Sequence, residues 1–194
     1  MIDGIEELDL HHLYRAMGFL GEEVKDQQGA TPFSPRCKKD MIEESIFSHR
    51  RELFTNLDLV FFDTTSIYFE GRGGESIGQR GFSKDHRPDL AQMVVGAVLD
   101  DKGQPICCEM WPGNTADVKT LLPIVKRLKT RFKIGRVEKV FRDVKSILET
   151  RPIFHQKDST IRGHVFCSFL ALVLRKELDC RLSVSYTHLR AHET

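Results

Sequence analysis

Short, mainly apolar runs predict a cluster of β-strands in the middle of the chain. Short runs rich in β-forming residues favour buried strands. The predicted strands cover residues 57–62, 66–70, 92–99 and 106–111. The first run ends at Asp63, and the sequence Asp101-Lys102-Gly103 predicts a tight hairpin turn between the last two strands.

Helical spacing of apolar residues surrounds this cluster on both sides. The predicted helices cover residues 5–24, 38–54, 117–132, 137–151 and about 159–178. The fourth of them follows a short strand-like stretch at 134–137, carries one apolar stripe from Val137 to Leu148, and stops before Pro152. This order predicts an α/β fold with an antiparallel part and an N-terminal helical appendage at 1–56. Because no glycine-rich loop joins a strand to a helix, nucleotide-binding folds gain no support.

Segments for export or membrane insertion are not indicated by the sequence. The longest nearly apolar run, at 165–174, is about half the length of ~20 residues that a membrane-spanning helix needs. The prediction is a cytoplasmic protein without a membrane partner. The five cysteines form no Cys-x-x-Cys pair, so they are interpreted as buried free thiols rather than as a zinc knuckle or a disulfide framework.

Charge is distributed unevenly although the net charge is only +1. Residues 1–56 hold 11 acidic and 7 basic residues, a net of −4, whereas residues 119–151 hold 11 basic and 3 acidic residues, a net of +8. Such a basic segment is typical of a surface that binds a polyanion such as DNA. A solvated helical face explains the same charges, and both interpretations stay open.

Two carboxylates are candidates for a catalytic metal site. Asp63 follows an apolar strand, where a carboxylate is rigidly placed and can hold a divalent cation, although an aspartate there is also a common turn former. On the predicted helix that begins at 137, Glu138, Arg142 and Lys145 project from nearly the same face. A carboxylate for metal beside cations for phosphates suits phosphoryl transfer, while surface ion pairs are the alternative.

A second polar segment, at 81–90, contains Lys84, His86 and Arg87, which are candidates for phosphate contacts. A charged hairpin loop explains this segment equally well. The pair His11-His12 has no spaced partner and is interpreted as surface.

Three stretches of sequence carry a resemblance to one family. They are FFDTTSIYFEG, GFSKDHRPDLAQMVVGAVLDDKGQPICCEMWPGNTAD and VEKVFRDVKSILETRPIFHQKDSTIRGHVFCSFLALVL. In this order they resemble DDE transposases of bacterial insertion sequences, in particular the IS-four-like group, over about residues 55–178. The resemblance implies a ribonuclease H-like fold for 57–178.

The resemblance also implies a set of site residues. Two magnesium ions would be held by an Asp, Asp, Glu triad, with Asp63 as its first member and Glu138 as its last, within a Tyr–Arg–Glu–Lys signature that ends at Lys145. The metals would activate a water or a DNA 3′-hydroxyl for attack on a phosphodiester, and the lysine would contact DNA. The implied partners are insertion-sequence ends and target DNA, and a homodimer stays open.

The chain departs from the family at one junction. Glu138 follows the strand-like stretch at once, so no second aspartate comes after it, and the signature positions for Tyr and Arg hold Arg131 and Ile134. The simplest explanation is an internal deletion near 137, which makes the ribonuclease H-like sheet incomplete. Residues 179–194 do not continue the family and are predicted to be disordered or poorly packed.

Three functions follow as hypotheses. The first is a transposase-family protein whose ancestral activity is DNA cleavage and strand transfer, and whose own activity is lost because a third carboxylate is missing. The second is a non-catalytic remnant that binds DNA or a protein partner through residues 119–151. The third is a different ribonuclease H-like nuclease.

Overall fold

The computed structural model describes residues 8–31, 34–50, 59–81, 87–134, 136–139, 150 and 152–191. Its strands are β1 (Leu59–Tyr68), β2 (Gln92–Asp100), β3 (Pro105–Pro112) and β4 (Arg136–Lys139). The helices are α1 (Leu10–Leu20), α2 (Lys38–Arg50), α3 (Asp117–Phe132) and α4 (Asp158–Ala191).

The strands form one mixed sheet with the order β3-β2-β1-β4. The first three strands are antiparallel, and β4 runs parallel to β1. The predicted hairpin between β2 and β3 is confirmed: Gly103 adopts a φ of 76° and donates from its N–H to Asp100 O at 3.0 Å. A glycine suits this place because other residues rarely adopt such a φ. The sequence therefore predicted the mixed α/β class and its antiparallel part correctly.

Strand β1 is longer than its apolar run predicted. Residues 66–70 were expected to form a separate strand, but residues up to Tyr68 continue β1 and pair with β2 without interruption. Pairing with β2 extends these residues, and the branched side chains of Thr64, Thr65 and Ile67 are compatible with an extended backbone. Asp63 consequently lies in the middle of a strand rather than at its end.

The helix predicted from residue 137 does not begin there. Residues Arg136–Lys139 form β4, whose backbone pairs with Leu59 to Phe62 of β1. The open edge of β1 offers backbone hydrogen bonds to an extended segment, and this tertiary pairing outweighs the helical spacing of the side chains. Residues 140–149, which hold most of the predicted stripe, lie outside the described part of the chain.

Two apolar clusters pack on the two faces of the sheet. On one face, side chains such as Val60 and Phe62 contact Ile124 and Leu128 of α3. On the other face, Ile67 and neighbouring sheet residues contact α4. The alternation of strand side chains thus divides the core into an α3 side and an α4 side.

The helix bounds differ from the predictions mainly at their ends. Helix α1 ends at Leu20, before the predicted 24, and α3 matches its predicted range. Helix α4 continues to Ala191, whereas its predicted end was near Leu178 and a disordered or poorly packed tail was predicted beyond it. No proline or glycine occurs after Gly163, so no residue type that commonly ends a helix interrupts this segment. Its described side chains from 173 to 182 are exposed or half-buried, outside the core.

None of the helices within the described ranges is both long and apolar enough to cross a membrane.

Candidate functional site

Asp63 occupies the centre of β1, on the face of the sheet that packs against α4. Its Cα lies opposite Ala97 of β2, and only 9% of the residue is exposed. Asp63 Oδ1 accepts a hydrogen bond of 2.7 Å from the Thr64 N–H. Asp63 and Ile67 are four positions apart in the strand, so they share a face. The sheet therefore holds this carboxyl group in a rigid and largely buried position.

Glu138 lies on the strand next to Asp63 rather than on a helix. Its backbone is in register with Phe61, two positions before Asp63 in the parallel neighbour β1. With strands about 4.8 Å apart and a rise of about 3.3 Å per residue, the two Cα atoms are separated by roughly 8 Å. The two carboxyl-bearing residues named from the sequence are thus neighbours in the sheet, through a geometry that the sequence did not predict.

Of the cationic residues named from the sequence, Arg87 is the one within the described ranges, and it lies far from Asp63. Arg87 pairs with Asp89 through two hydrogen bonds of 3.0 Å, and its guanidinium lies 5.7 Å from the centre of the Tyr68 ring. Tyr68 is five positions beyond Asp63 in β1, a distance of about 17 Å along the strand. Lys84, His86, Arg142 and Lys145 lie outside the described residues.

Two arginines of the basic segment are not available to a polyanion. Arg127 and Arg131 of α3 have buried side chains, and both bind carboxylates from other parts of the chain. Part of the charge asymmetry is therefore an internal contact between the acidic N-terminal region and the basic helix. Lys126, Lys129 and Lys133 remain exposed.

A buried ionic cluster joins α2, β3 and α3. Its core contains three cations and three carboxylates: Lys39, Arg127 and Arg131 with Asp40, Glu43 and Glu109. The shortest contact joins Arg131 Nη2 to Glu43 Oε2 at 2.6 Å, and Arg127 binds both Glu109 and Asp40 at 2.7 Å. Because the formal charges of this set balance, its members stabilise one another as ions in a site without water contact.

The pKa values of the cluster follow from this pairing. Burial opposes the charge on Asp40, but Lys39 and Arg131 outweigh burial and hold the pKa of Asp40 well below its usual range. Burial likewise opposes ionisation of Glu109, and the neighbouring Arg127 lowers its pKa overall. These carboxylates are ionised at neutral pH and engaged by cations, which suits a structural role better than proton transfer.

Helix α2 also satisfies the backbone of the edge strand β3. Lys39 Nζ donates to Cys108 O at 2.7 Å, and the Cys108 N–H donates to Glu43 Oε1 at 3.0 Å. Side chains of α2 thus take the place that a further strand would occupy at this edge.

The cysteine interpretation is correct for three of the five residues. Cys37, Cys107 and Cys108 are buried, whereas Cys167 and Cys180 are exposed. Burial raises the pKa of Cys37 to about 11 and raises the pKa values of Cys107 and Cys108 as well. The three buried thiols are therefore protonated and unreactive at neutral pH.

Magnesium would need several oxygen ligands at one place. A carboxylate in the position of Asp63 suits that metal in kind. Among the described residues, however, Asp63 belongs to no group of three or more candidate ligands. The described group of that size consists of Asp9, His11 and His12, whose ligand atoms lie within 4.8 Å of one another. His12 Nδ1 in this group already accepts a hydrogen bond from the Asp9 N–H at the start of α1.

Sequence reasoning missed the ionic cluster and the partner of the His11-His12 pair. A signal for the cluster existed in the opposite net charges of 1–56 and 119–151. For the histidines, the signal was Asp9, which precedes His11 by two positions at the beginning of the helix.

Comparisons of the chain with protein-family models, with curated proteins and with solved structures find no match.

Proposed function

We propose that this chain is a DNA-binding protein of the DDE transposase family that has a ribonuclease H-like fold and lacks strand cleavage. The observation that supports this proposal most directly is the position of β4 beside β1, parallel to it, with Asp63 in the middle of β1. In the family that the sequence resembles, carboxylates from the first and fourth strands share metal ions. Strands that do so have to be neighbours, as β1 and β4 are.

The loss of cleavage follows from the set of carboxylates. Two magnesium ions held between carboxylates supply an activated nucleophile and stabilise the leaving oxygen. Asp63 would hold such an ion together with Glu138, but the sequence has no aspartate directly after β4 to complete the set. With two carboxylates, the positive charge of two ions stays incompletely neutralised, so at least one of them binds weakly.

A nicking assay tests the catalytic part of this proposal. Supercoiled plasmid incubated with the protein and Mg²⁺ is expected to stay supercoiled, and Asp63→Asn is expected to behave like the unaltered chain. A metal-dependent nuclease on the same plasmid shows that the assay detects nicking. If the protein nicks the plasmid and Asp63→Asn abolishes that activity, the chain is an active nuclease and the proposed loss is wrong.

The exposed face of α3 supports the binding part of the proposal. Lys126 and Lys129 are three positions apart and follow one side of α3, and the exposed Lys133 is the residue that caps the end of this helix. The side chains that bind carboxylates, Arg127 and Arg131, are buried. A row of exposed lysines on a helix is suited to phosphate contacts along a DNA backbone without sequence readout.

Replacing these three lysines by glutamine is expected to weaken DNA binding and its dependence on salt. If each lysine contacts one phosphate, the slope of log K against log salt becomes less negative by about 3 units for the triple variant. Gel shifts or fluorescence anisotropy at several salt concentrations measure this slope.

A matched control carries the same loss of charge elsewhere. Lys25, Lys102 and Lys157 are also exposed, and their replacement by glutamine is expected to leave the slope nearly unchanged. Equal slopes for the two triple variants would show that the face of α3 is not the contact. A binding constant that does not vary with salt would contradict a phosphate-binding surface altogether.

A further inference from the structure

Two histidines join the segment before α4, residues 152–155, to that helix. His155 Nε2 lies 3.0 Å from His164 Nδ1, and His164 Nε2 lies 3.0 Å from Thr150 O. Because a carbonyl oxygen only accepts, His164 Nε2 carries a proton and donates a hydrogen bond to Thr150 O. A neutral imidazole has one N–H, so His164 Nδ1 accepts and His155 Nε2 donates. The hydrogen bonds therefore run in one direction, from His155 through His164 to the backbone.

The histidine pair lies at a junction of the sheet with two helices. In the segment before α4, Ile153 is buried in the apolar cluster on the α4 side of the sheet, and its carbonyl oxygen accepts from the Glu70 N–H at 3.1 Å. The rings of His155 and Tyr14 of α1 lie edge to face, with their centres 5.3 Å apart. The segment is thus held by the sheet at Ile153 and by α1 and α4 at His155.

This pair can bind one proton without losing its hydrogen bond, but not two. A first proton adds to His155 Nδ1, and His155 Nε2 continues to donate to His164. A second proton has to add to His164 Nδ1, because His164 Nε2 already carries one. Two N–H groups then face each other across the 3.0 Å contact, and both rings are positively charged. The second proton therefore converts an attraction between the rings into a repulsion.

Burial makes the pair sensitive to acid. It lowers the pKa of both histidines; His164 lowers the pKa of His155 further, and the bond to Thr150 O opposes the effect of burial at His164. An unfolded histidine has a pKa of about 6.5, so the folded chain binds these protons less readily than the unfolded chain. The stabilisation by the pair is therefore complete above about pH 6.5 and is lost as the pH falls from there towards the folded pKa values.

The groups that face the pair do not offset its charge. From α1 the facing titratable group is the Tyr14 phenol, and from the sheet Glu70 contributes its backbone N–H. At the start of α4, the Asp158 carboxylate accepts from the Ser76 N–H at 3.0 Å. Among the described residues, no carboxylate contributes to the pKa shift of either histidine. Two positive rings would consequently have no counter-charge among these groups.

We propose that His155 and His164 form an acid-sensitive latch, which holds the segment before α4 against that helix and opens when both rings are protonated. Opening separates the two rings and ends the contact between His155 and Tyr14. The sheet stays folded, because its apolar clusters include neither histidine. The latch uses neither Asp63 nor the lysines of α3, so it does not depend on the proposed DNA binding.

An NMR titration of the unaltered chain from about pH 8 to about pH 4.5 follows both imidazoles and the Tyr14 ring. The two imidazoles are expected to bind protons at midpoints at least about one pH unit apart, because they interact directly. The Tyr14 signals are expected to move with the second midpoint, whereas far-ultraviolet circular dichroism stays constant. Equal midpoints near about pH 6.5, or Tyr14 signals that stay constant through the second step, overturn the latch. A loss of circular dichroism at that step indicates global unfolding and also overturns it.

His155→Gln tests the coupling between the two rings. The glutamine amide donates to the neutral His164 ring through its nitrogen and, after rotation, accepts from the protonated ring through its oxygen. The midpoint of His164 is therefore expected to rise by at least about one pH unit above the second midpoint of the unaltered chain, and Tyr14 is expected not to move with it. An unchanged midpoint overturns the proposal.

His49→Gln is the matched control, because it removes one exposed histidine from α2. It is expected to leave the midpoints of His155 and His164 unchanged. Equal shifts in His49→Gln and His155→Gln would show an effect of general charge and overturn the latch. Circular dichroism at neutral pH shows whether each variant folds, and the titration of the unaltered chain decides if His155→Gln does not.

Discussion

Replacing Arg131 by methionine is expected to destabilise the protein by about 3–5 kcal/mol, because it leaves buried carboxylates without a partner. The Arg131 side chain is fully buried and contacts Asp40, Glu43 and Glu109 within 3.2 Å. Methionine fills much of the volume but supplies no charge and no N–H donors. The three carboxylates would then share only Lys39 and Arg127, and one negative charge would stay uncompensated in a site without water.

Urea unfolding followed by circular dichroism measures this effect. Lys129→Met is the matched control because it removes one positive charge from the same helix at an exposed position, and it is expected to change stability by no more than about 0.5 kcal/mol. Equal effects of the two substitutions would show that the ionic cluster contributes nothing beyond the general charge of α3.

A double variant separates the charge from other consequences of the substitution. Adding Glu43→Gln to Arg131→Met removes one of the unpaired charges while keeping an oxygen that can accept from the Cys108 N–H. The loss of unfolding free energy in the double variant is therefore expected to be smaller than the sum of the losses in the two single variants. Strict additivity would indicate that Arg131 acts through packing rather than through its charge.

The central sheet could largely be predicted because its signal is local. Residues 92–99 and 106–111 are short, mainly apolar runs around an Asp-Lys-Gly turn, and the structure has β2, the turn and β3 there. The extent of β1 could not be predicted in the same way. Its second half is polar at Thr64, Thr65 and Ser66, and these residues are extended because β2 pairs with them.

Glu138 shows the limit of pattern reasoning most clearly. The apolar spacing that begins at Val137 matches a helix, yet residues 136–139 form a strand. The helical spacing of apolar residues indicates only the local preference of one segment, whereas the open backbone edge of β1 exists only in the folded sheet. The resemblance implies that residues such as Asp63 and Glu138 share metal ions, but it places Glu138 on a helix rather than on β4.

The ionic cluster was beyond prediction for a related reason. Lys39, Asp40 and Glu43 have the spacing of a charged helix, and in most proteins such residues face water. Their burial depends on Arg127 and Arg131, which are about 90 positions later in the chain. The opposite charges of the two regions indicated an attraction, but one sequence does not state which residues pair.

Replacing Gly163 by alanine is expected to destabilise the protein although alanine is the better helix former. Gly163 of α4 lies against α1, and a Cβ built on it would be 1.8 Å from Met17 O and 2.5 Å from Met17 C. These are backbone atoms, which cannot rotate away, so the two helices have to separate. The expected loss is about 2–3 kcal/mol, since overpacking of this kind outweighs the gain of about 1 kcal/mol from helix propensity.

Gly18→Ala provides the comparison that isolates the contact. Gly18 lies in α1 at the same crossing, but its Cβ would meet only Thr160 Oγ1, at 3.6 Å, an ordinary contact distance. Alanine there is expected to be neutral or to stabilise the protein by up to about 1 kcal/mol. Thermal unfolding is therefore expected to separate the two variants in opposite directions, with Gly163→Ala lower by roughly 4–12 °C for a chain of this size. If both substitutions raise the unfolding temperature, α1 does not approach α4 as closely as the structure shows. The His155–Tyr14 ring contact at 5.3 Å, which joins α1 to the segment before α4, would then need a different arrangement as well.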